Sequence, residues 1–148
     1  MVESLDRVRV LVAEDNLINQ KIVRIMLQKA GCEVLAVDDG NQAVEAVQTN
    51  PIDLVLMDLH MPQLDGLQAT RQIRDLQTDV KEVPIIALTA SAFTDDRDRC
   101  LAAGMNDFIT KPIKLNYLLE KCTYWASRRP EAADAPEAPQ PQSLATEI

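Results

Sequence analysis

Five polar residues directly follow short apolar runs of the chain, and their types together suit phosphoryl-transfer chemistry. Glu14 and Asp15 follow one run, and Asp58, Thr89 and Lys111 each follow another. Carboxylates that share one cleft repel each other and stay ionised only if a cation neutralises them. Mg²⁺ suits a site that offers two carboxylates, water and phosphate oxygens. A lysine ammonium and a threonine hydroxyl can then bind the phosphoryl oxygens.

Asp58 is the candidate nucleophile of this set. A carboxylate that attacks phosphorus forms a mixed anhydride, as in enzymes that form an aspartyl-phosphate. A bound cation and Lys111 would screen the incoming phosphoryl oxygens from the charge of that carboxylate. Each residue alone also has an ordinary explanation, because Asp15 with Asn16 could simply cap a helix. Asp58 could likewise be a turn residue and Lys111 a solvated charge, but their shared placement after apolar runs favours a site.

The elements that must position these residues are short apolar runs that alternate with amphipathic stretches. Runs with no polar alternation are typical of strands buried on both faces, and helical connections between them indicate a parallel sheet. In such a sheet, ligands bind outside the carboxyl ends of the strands, where the five polar residues would meet. Strands are predicted at 8–13, 34–37, 54–57, 84–88 and 108–109, each followed by a helix.

The first helix is predicted from the apolar stripe 18–26, which ends before Gly31. We expect this stripe to pack in the core and the neighbouring Leu17 to be exposed. The second helix begins near Asp39, which has capping-box spacing to Gln42. Trp125 lies near the end of the last helix.

Composition restricts the function classes. The chain has 148 residues, of which 47% are hydrophobic and 26% charged, as expected for one globular domain. A net charge of −8 argues against general binding to nucleic acid or anionic membranes. No apolar run approaches the length of a membrane span and no signal peptide is evident, so we expect a cytoplasmic protein. The chain has three widely separated cysteines and a single histidine, which predict reduced thiols rather than a disulfide framework or a zinc site; the cysteines are Cys32, Cys100 and Cys122.

The predicted domain covers residues 8–127, after an N-terminal extension at 1–7. A tail at 128–148 contains four of the eight prolines together with Ala, Glu and Gln. Such a segment buries too little apolar surface to offset its ordering entropy, so we predict disorder there. This tail is also too short to form a helix-turn-helix DNA-binding domain.

The sequence resembles the receiver domains of two-component response regulators. The matching segments are VLVAEDN, DLVLMDLHMPQLDGLQATRQIR, PIIALTA and GMNDFITKPI, which together span about residues 8–125. The resemblance implies a doubly wound, flavodoxin-like α/β fold with five helices and a five-stranded parallel sheet in the order 2-1-3-4-5. Two of these segments further resemble receivers of hybrid sensor histidine kinases, so the chain would be an excised module or a stand-alone relative.

The resemblance also implies a metal site and partners. Asp58 would be the phosphoacceptor in a phosphorelay, and Asp15 and Asp58 would bind Mg²⁺ directly, with Mn²⁺ as a substitute. Glu14 would act mostly through water, and the backbone carbonyl of His60 would complete the protein ligands. The partners would be a histidine kinase, a histidine phosphotransfer protein or both. The domain would be a signalling module rather than an enzyme, and a monomer or a phosphorylation-dependent dimer.

Switch residues follow from the same resemblance. Thr89 would move its hydroxyl towards the phosphoryl group, and Lys111 would form an ion pair with it. Phe108 occupies the aromatic switch position, where many members have a tyrosine whose hydroxyl is absent here, and its ring would turn inward on phosphorylation. The Lys111–Pro112 bond would be cis. Phosphorylation would then shift the surface formed by the fourth helix, the fifth strand and the fifth helix.

Other interpretations remain open from the sequence. Leu17, Met61 and Ile113 could form an apolar rim for a docking partner, and His60 could tune dephosphorylation. A domain that only binds a partner is one alternative function. A phosphatase that uses Asp58 as nucleophile is another, although such enzymes usually carry a second carboxylate where His60 stands.

Overall fold

The computed structural model of the chain describes residues 5–90 and 94–128. Residues 1–4 of the predicted extension, and all of the predicted tail after Arg128, lie outside the described residues. Leu5 is buried against the same core cluster as Val8, so the folded part begins before the first strand.

A single parallel sheet of five strands organises the described residues, in the order β2-β1-β3-β4-β5. This order confirms the predicted doubly wound fold. The strands are β1 (Arg9–Ala13), β2 (Glu33–Val37), β3 (Leu54–Asp58), β4 (Ile85–Thr89) and β5 (Asp107–Thr110). The helices are α1 (Leu17–Lys29), α2 (Gly40–Thr49), α3 (Gly66–Arg74), α4 (Thr94–Ala103) and α5 (Leu115–Ala126). A short 3₁₀ helix at Asp79–Glu82, which the sequence did not indicate, precedes β4.

Helices cover both faces of the sheet, which explains why its central strands lack polar alternation. Every residue of β3 and β4 is buried. Leu54 and Leu56 of β3 face the cluster formed with α1 and α5, whereas Val55 and Met57 face the cluster formed with α2, α3 and α4. Each such side chain contributes about 1.5–3 kcal/mol by burial. The sheet is therefore a rigid base for the residues at its edge.

The prediction that the isoleucines of α1 pack in the core is wrong. The buried face consists of Gln20, Val23 and Leu27 instead. The sequence did not indicate this buried face, because the polar Gln20 at a core position breaks the apolar periodicity. Met26 is partly buried, but three isoleucines are exposed: Ile18 at 71%, Ile22 at 44% and Ile25 at 41%.

The loop after β3 is fixed by local contacts. Asp65 caps α3 by accepting a hydrogen bond from the backbone of Gln68, whose side chain accepts one from the backbone of Asp65. A Cβ atom at Gly66 would overlap the carbonyl oxygen of Asp58, so only glycine permits this approach of α3 to the strand end. The sequence therefore holds the start of α3 tightly against Asp58.

A buried ion pair joins β5 to α5. The Lys121 ammonium, which is 1% exposed, lies 3.0 and 2.9 Å from the two carboxylate oxygens of Asp107. The indole Nε1 of Trp125 and the backbone N–H of Phe108 also donate to this carboxylate, each at 2.8 Å. Four hydrogen bonds to one buried carboxylate offset its desolvation.

Three further features of the described residues bear on the sequence predictions. The Lys111–Pro112 peptide bond is cis, as expected. Cys32, Cys100 and Cys122 are buried free thiols, as predicted. Across residues 5–90 and 94–128, no helix combines the length and the apolar character needed to cross a membrane.

Candidate functional site

The carboxyl edge of the sheet brings the sequence-predicted residues together. Asp58 is the last residue of β3, and its register partner on β4 is Leu88, so Thr89 lies one residue further along that edge. Glu14 directly follows β1, and Lys111 directly follows β5. Adjacent parallel strands therefore place these polar side chains on one rim, as the sequence predicts.

Three carboxylates converge at this rim. Ligand oxygens of Glu14, Asp15 and Asp58 all lie within 4.8 Å of one another. Glu14 and Asp58 are buried, at 1% and 4% exposure, whereas Asp15 is exposed. The group therefore consists of two carboxylates held in the protein and one that closes the cluster from the solvent side.

These carboxylates fit a small hard cation. Oxygen Oε1 of Glu14 is buried and accepts no hydrogen bond from the described residues. The ammonium of Lys111 lies 3.2 Å from this oxygen, which makes an ion pair but does not meet hydrogen-bond geometry. A buried carboxylate oxygen without a donor, close to two other carboxylates, is the environment that a Mg²⁺ ion satisfies.

Lys111 is shared between two acidic partners. Its Nζ lies 3.2 Å from Asp58 Oδ2 and 3.2 Å from Glu14 Oε1. Burial lowers the pKa of Lys111, but the carboxylates of Asp58 and Glu14 outweigh it and leave the pKa above its ordinary value. Its backbone N–H also donates to the carbonyl of Thr89 at 2.7 Å. The lysine is therefore a fixed, fully charged cation beside the Asp58 carboxylate.

Glu14 is the electrostatically unfavourable member of the group. Burial and the neighbouring carboxyl of Asp58 raise its pKa to about 7, against the opposing effects of the Asn16 N–H and Lys111. The Asn16 N–H donates to Glu14 Oε2 at 3.1 Å. Without a cation, Glu14 is therefore partly protonated near neutral pH. Binding of a divalent ion would release that proton.

Asp58 is contacted on both carboxylate oxygens. The backbone N–H of His60 donates to Oδ1 at 3.2 Å, and Lys111 donates to Oδ2 at 3.2 Å. These contacts orient the carboxylate at the end of β3, and the cluster opens to solvent beside it at the exposed His60. A phosphorus atom approaching from solvent would therefore meet an oriented carboxylate with a lysine beside it.

The amino-acid sequence matches the family described as response regulator receiver domain over residues 10–123. The chain belongs to this family. Sensor protein GacS of Pseudomonas syringae pv. syringae is 41% identical over 145 residues, which cover 95% of this chain and 15% of GacS. The receiver thus spans a small part of the length of this relative.

Two solved receivers extend the comparison. The receiver domain of sensor histidine kinase PA1611 from Pseudomonas aeruginosa is 43% identical, with a TM-score of 0.76 over 82% of this chain and 98% of that one. That structure has a magnesium ion coordinated in its active-site cleft. The receiver domain of Ssk1 from Saccharomyces cerevisiae, solved with the histidine phosphotransfer protein Ypd1, is 33% identical with a TM-score of 0.80. The match covers 90% of this chain and 97% of that one.

The predicted switch residues are buried in this receiver. Thr89 is 4% exposed at the end of β4, and Phe108 is 8% exposed on β5. The guanidinium of Arg97 on α4 lies 5.9 Å from the centre of the Phe108 ring. The aromatic ring is thus already inside the protein, packed between the sheet and α4.

The predicted apolar rim is only partly assembled at the site. Leu17 is 68% exposed, whereas Met61 and Ile113 are each half-buried against different core clusters. Ile113 lines a cavity of about 130 Å³ together with Ile22, Lys111 and others. The sequence pattern did not predict that the isoleucines of α1 are exposed. It also did not predict that the amide of Gln20 is buried beside Glu14. The signal for Gln20 was its spacing of three and seven residues from Val23 and Leu27.

Proposed function

We propose that this receiver accepts a phosphoryl group on Asp58 from a phosphohistidine of a histidine kinase or a phosphotransfer protein. The observation that carries the proposal is the buried Asp58 carboxylate, fixed by Lys111 within a group of three carboxylates. Membership of the receiver family, and the solved complex of the related Ssk1 receiver with the histidine phosphotransfer protein Ypd1, support a histidine as donor. An aspartate with only a structural role at a strand end would not need the other four residues.

The transfer step uses the carboxylate as nucleophile. An oxygen of Asp58 attacks phosphorus as the bond from phosphorus to the histidine nitrogen breaks, and the imidazole leaves with that electron pair. The product is an acyl phosphate on Asp58 and a free histidine on the donor. Lys111, already fixed beside Asp58, stabilises the charge on the phosphoryl oxygens.

Asp15 and Asp58 would hold a Mg²⁺ ion directly, or Mn²⁺ in its place, with the backbone carbonyl of His60 as a further ligand. Glu14 would act mostly through water. The unsatisfied Glu14 Oε1 and the magnesium bound by the Pseudomonas aeruginosa relative support this assignment. When bound, the ion neutralises the carboxylates and the phosphoryl oxygens, which lowers the repulsion that opposes attack.

The docking partner would cover the rim of the site. Its histidine must reach Asp58, so its surface must lie on the residues that surround the open side of the cluster. Leu17 is exposed there, and the exposed isoleucines of α1 extend the apolar surface away from the site. We expect the phosphotransfer partner to bind this surface together with Ile113, and Met61 to contribute from the opposite side.

Switching would start from Thr89 and Phe108. The threonine hydroxyl would engage the phosphoryl group, and the surface of α4, β5 and α5 would change with it. Because the Phe108 ring is already buried and has the Arg97 guanidinium 5.9 Å from its centre, we expect the change to appear in the packing of α4 on this ring. His60, exposed at the mouth of the site, would affect the rate of dephosphorylation.

The two alternative functions receive no support of this kind. A domain that only binds a partner does not need an acidic cluster, an acceptor and a lysine within ion-pair distance. A phosphatase needs a general acid beside its nucleophile. His60, two positions after Asp58, instead donates a hydrogen bond to Asp58 from its backbone N–H. The receiver reaction is therefore the function that the geometry supports best.

Phosphotransfer from a phosphorylated histidine donor tests the proposal. Candidate kinases and phosphotransfer proteins are labelled and mixed with wild type, Asp58→Asn or Asp65→Asn in Mg²⁺. Asp65→Asn is the matched control, because asparagine also caps a helix and leaves the cluster intact. We expect label to move to wild type and to Asp65→Asn but not to Asp58→Asn. Equal labelling of Asp58→Asn at an acid-stable position would contradict the proposal.

A further inference from the structure

Gln20 makes an unusual set of contacts on the buried face of α1. The residue is 9% exposed, and its amide Nε2 lies within hydrogen-bond distance of three oxygens. These are the carbonyl of Glu14 at 2.9 Å, the carbonyl of Val37 at 3.1 Å and Oδ1 of Asp38 at 3.1 Å. A primary amide has two N–H donors, so the three acceptors share them. All three oxygens belong to the carboxyl ends of β1 and β2 or the loop after β2.

The acceptor on Glu14 makes this contact important for the acidic cluster. The Glu14 carbonyl belongs to the peptide that joins Glu14 to Asp15, so Gln20 fixes the plane of that peptide. On its other side, the Glu14 N–H donates to the Val37 carbonyl at 3.1 Å. Both peptide groups around Glu14 are therefore held, one by β2 directly and the other by Gln20.

A purely structural role for this side chain is the simpler alternative. The position lies on the face that also contributes Val23 and Leu27 to the core, where an apolar residue would pack without any hydrogen bond. Burial of an amide is favourable only if its polar atoms are satisfied. The amide is instead aimed at the backbone of a residue whose side chain belongs to the carboxylate cluster, which a packing role does not require.

We propose that Gln20 is a positioning residue for the cation site. It holds the Glu14–Asp15 peptide so that both carboxylates converge with Asp58, and it touches neither the cation nor the phosphoryl group. The inference rests on the proposed function in one respect, which is that the cluster binds Mg²⁺. Residues that hold metal ligands in place typically contribute 10–100-fold to metal affinity.

Gln20→Met tests the inference, because methionine keeps the length of the side chain and removes the donors. Gln42→Met is the matched control. Gln42 accepts a hydrogen bond from the Asp38 N–H at 2.9 Å in the same loop, but it is exposed and bonds to Asp38 and Asp39 rather than to Glu14. The Mg²⁺ dissociation constant is measured by calorimetry on the unphosphorylated full chain, and the free energy of unfolding by urea titration in EDTA.

We expect Gln20→Met to weaken Mg²⁺ binding about tenfold or more, and Gln42→Met to leave it within about twofold. The phosphorylation rate of Gln20→Met should recover at saturating Mg²⁺, because the nucleophile itself is unchanged. A variant that is less stable but binds Mg²⁺ like wild type would overturn the proposal and leave Gln20 with a structural role.

Gln20→Asn keeps the test decisive if the methionine variant does not fold. Asparagine keeps the polar amide but is one methylene shorter, so it cannot hold the Glu14 carbonyl in the same place and its Mg²⁺ binding should be weaker than that of wild type. Wild-type affinity in Gln20→Asn would contradict the inference. Absence of Mg²⁺ binding in wild type would instead refute the proposed cation site itself, so the two failures are distinguishable.

Discussion

Glu14 should make the metal-free protein less stable as the pH rises towards neutrality. In the folded state its pKa is raised from 4.5 to about 7, mainly by burial and then by Asp58. Between these pH values the folded protein holds a proton that the unfolded chain has lost. Stability therefore falls as the pH increases through this window, and the whole contribution is lost above about pH 7.

The size of the effect follows from the change in pKa. Each pKa unit corresponds to about 1.4 kcal/mol, so the rise of the Glu14 pKa from 4.5 to about 7 amounts to about 3.5 kcal/mol once the group is fully ionised. This is a large share of the ~5–15 kcal/mol that stabilises a typical domain. Glu14→Gln stays neutral at every pH, so its stability relative to wild type should increase by about 2.5 kcal/mol between pH 5 and pH 8, because part of the effect is already lost at pH 5.

Urea unfolding in EDTA at pH 5, 6, 7 and 8, followed by far-UV circular dichroism and Trp125 fluorescence, measures the difference. Glu45→Gln, on the exposed face of α2, controls for the exchange itself. Added Mg²⁺ should restore the stability of wild type at pH 8 and restore Glu14→Gln less. Parallel pH curves for wild type and Glu14→Gln, within about 0.5 kcal/mol, would refute the electrostatic account of Glu14.

Three further predictions concern the rest of the domain. Lys111→Met should lower the rate of phosphorylation about 10²-fold without unfolding the protein, since it removes the cation fixed beside the acceptor; timed labelling and circular dichroism measure both. Asp107→Asn should cost about 3–5 kcal/mol of unfolding free energy, because the buried Lys121 ammonium then loses its anion, whereas Lys121→Met should cost less, because the Asp107 carboxylate keeps two other donors. Equal losses in urea titrations would contradict this prediction. Burial raises the pKa of Cys32 to about 11 and also raises that of Cys122, so both thiols should be alkylated at pH 8 only as fast as the protein opens. Rapid labelling of the native protein, detected by mass spectrometry, would contradict this prediction.

The sheet and its polar edge could be predicted because the sequence expresses them locally. Unbroken apolar runs predict the buried strands, and the spacing of Asp39 and Gln42 predicts the start of α2, where the Asp39 side chain accepts a hydrogen bond from the Gln42 N–H. Asp58, Thr89 and Lys111 each follow such a run, so topology alone brings them to one rim. These predictions need no knowledge of which side chains meet across the fold.

What the sequence did not reveal depends on contacts between distant residues. The buried face of α1 includes Gln20, whose amide is satisfied by carbonyls at the ends of two strands. Periodicity ranks such a residue as surface and ranks the exposed isoleucines as core. In the same way, the sequence around Lys121 indicates a solvated charge, whereas in the fold its ammonium is paired with Asp107, fourteen positions earlier.

The most direct test of the account is the chemistry of Asp58 itself. Wild type and Asp58→Asn are incubated with a small-molecule phosphodonor and Mg²⁺, and intact masses are recorded before and after treatment with hydroxylamine. The account predicts that wild type gains one phosphoryl group, that hydroxylamine removes it as expected for an acyl phosphate on Asp58, and that Asp58→Asn gains none. A hydroxylamine-resistant phosphoryl group, or the same gain in Asp58→Asn, would contradict it.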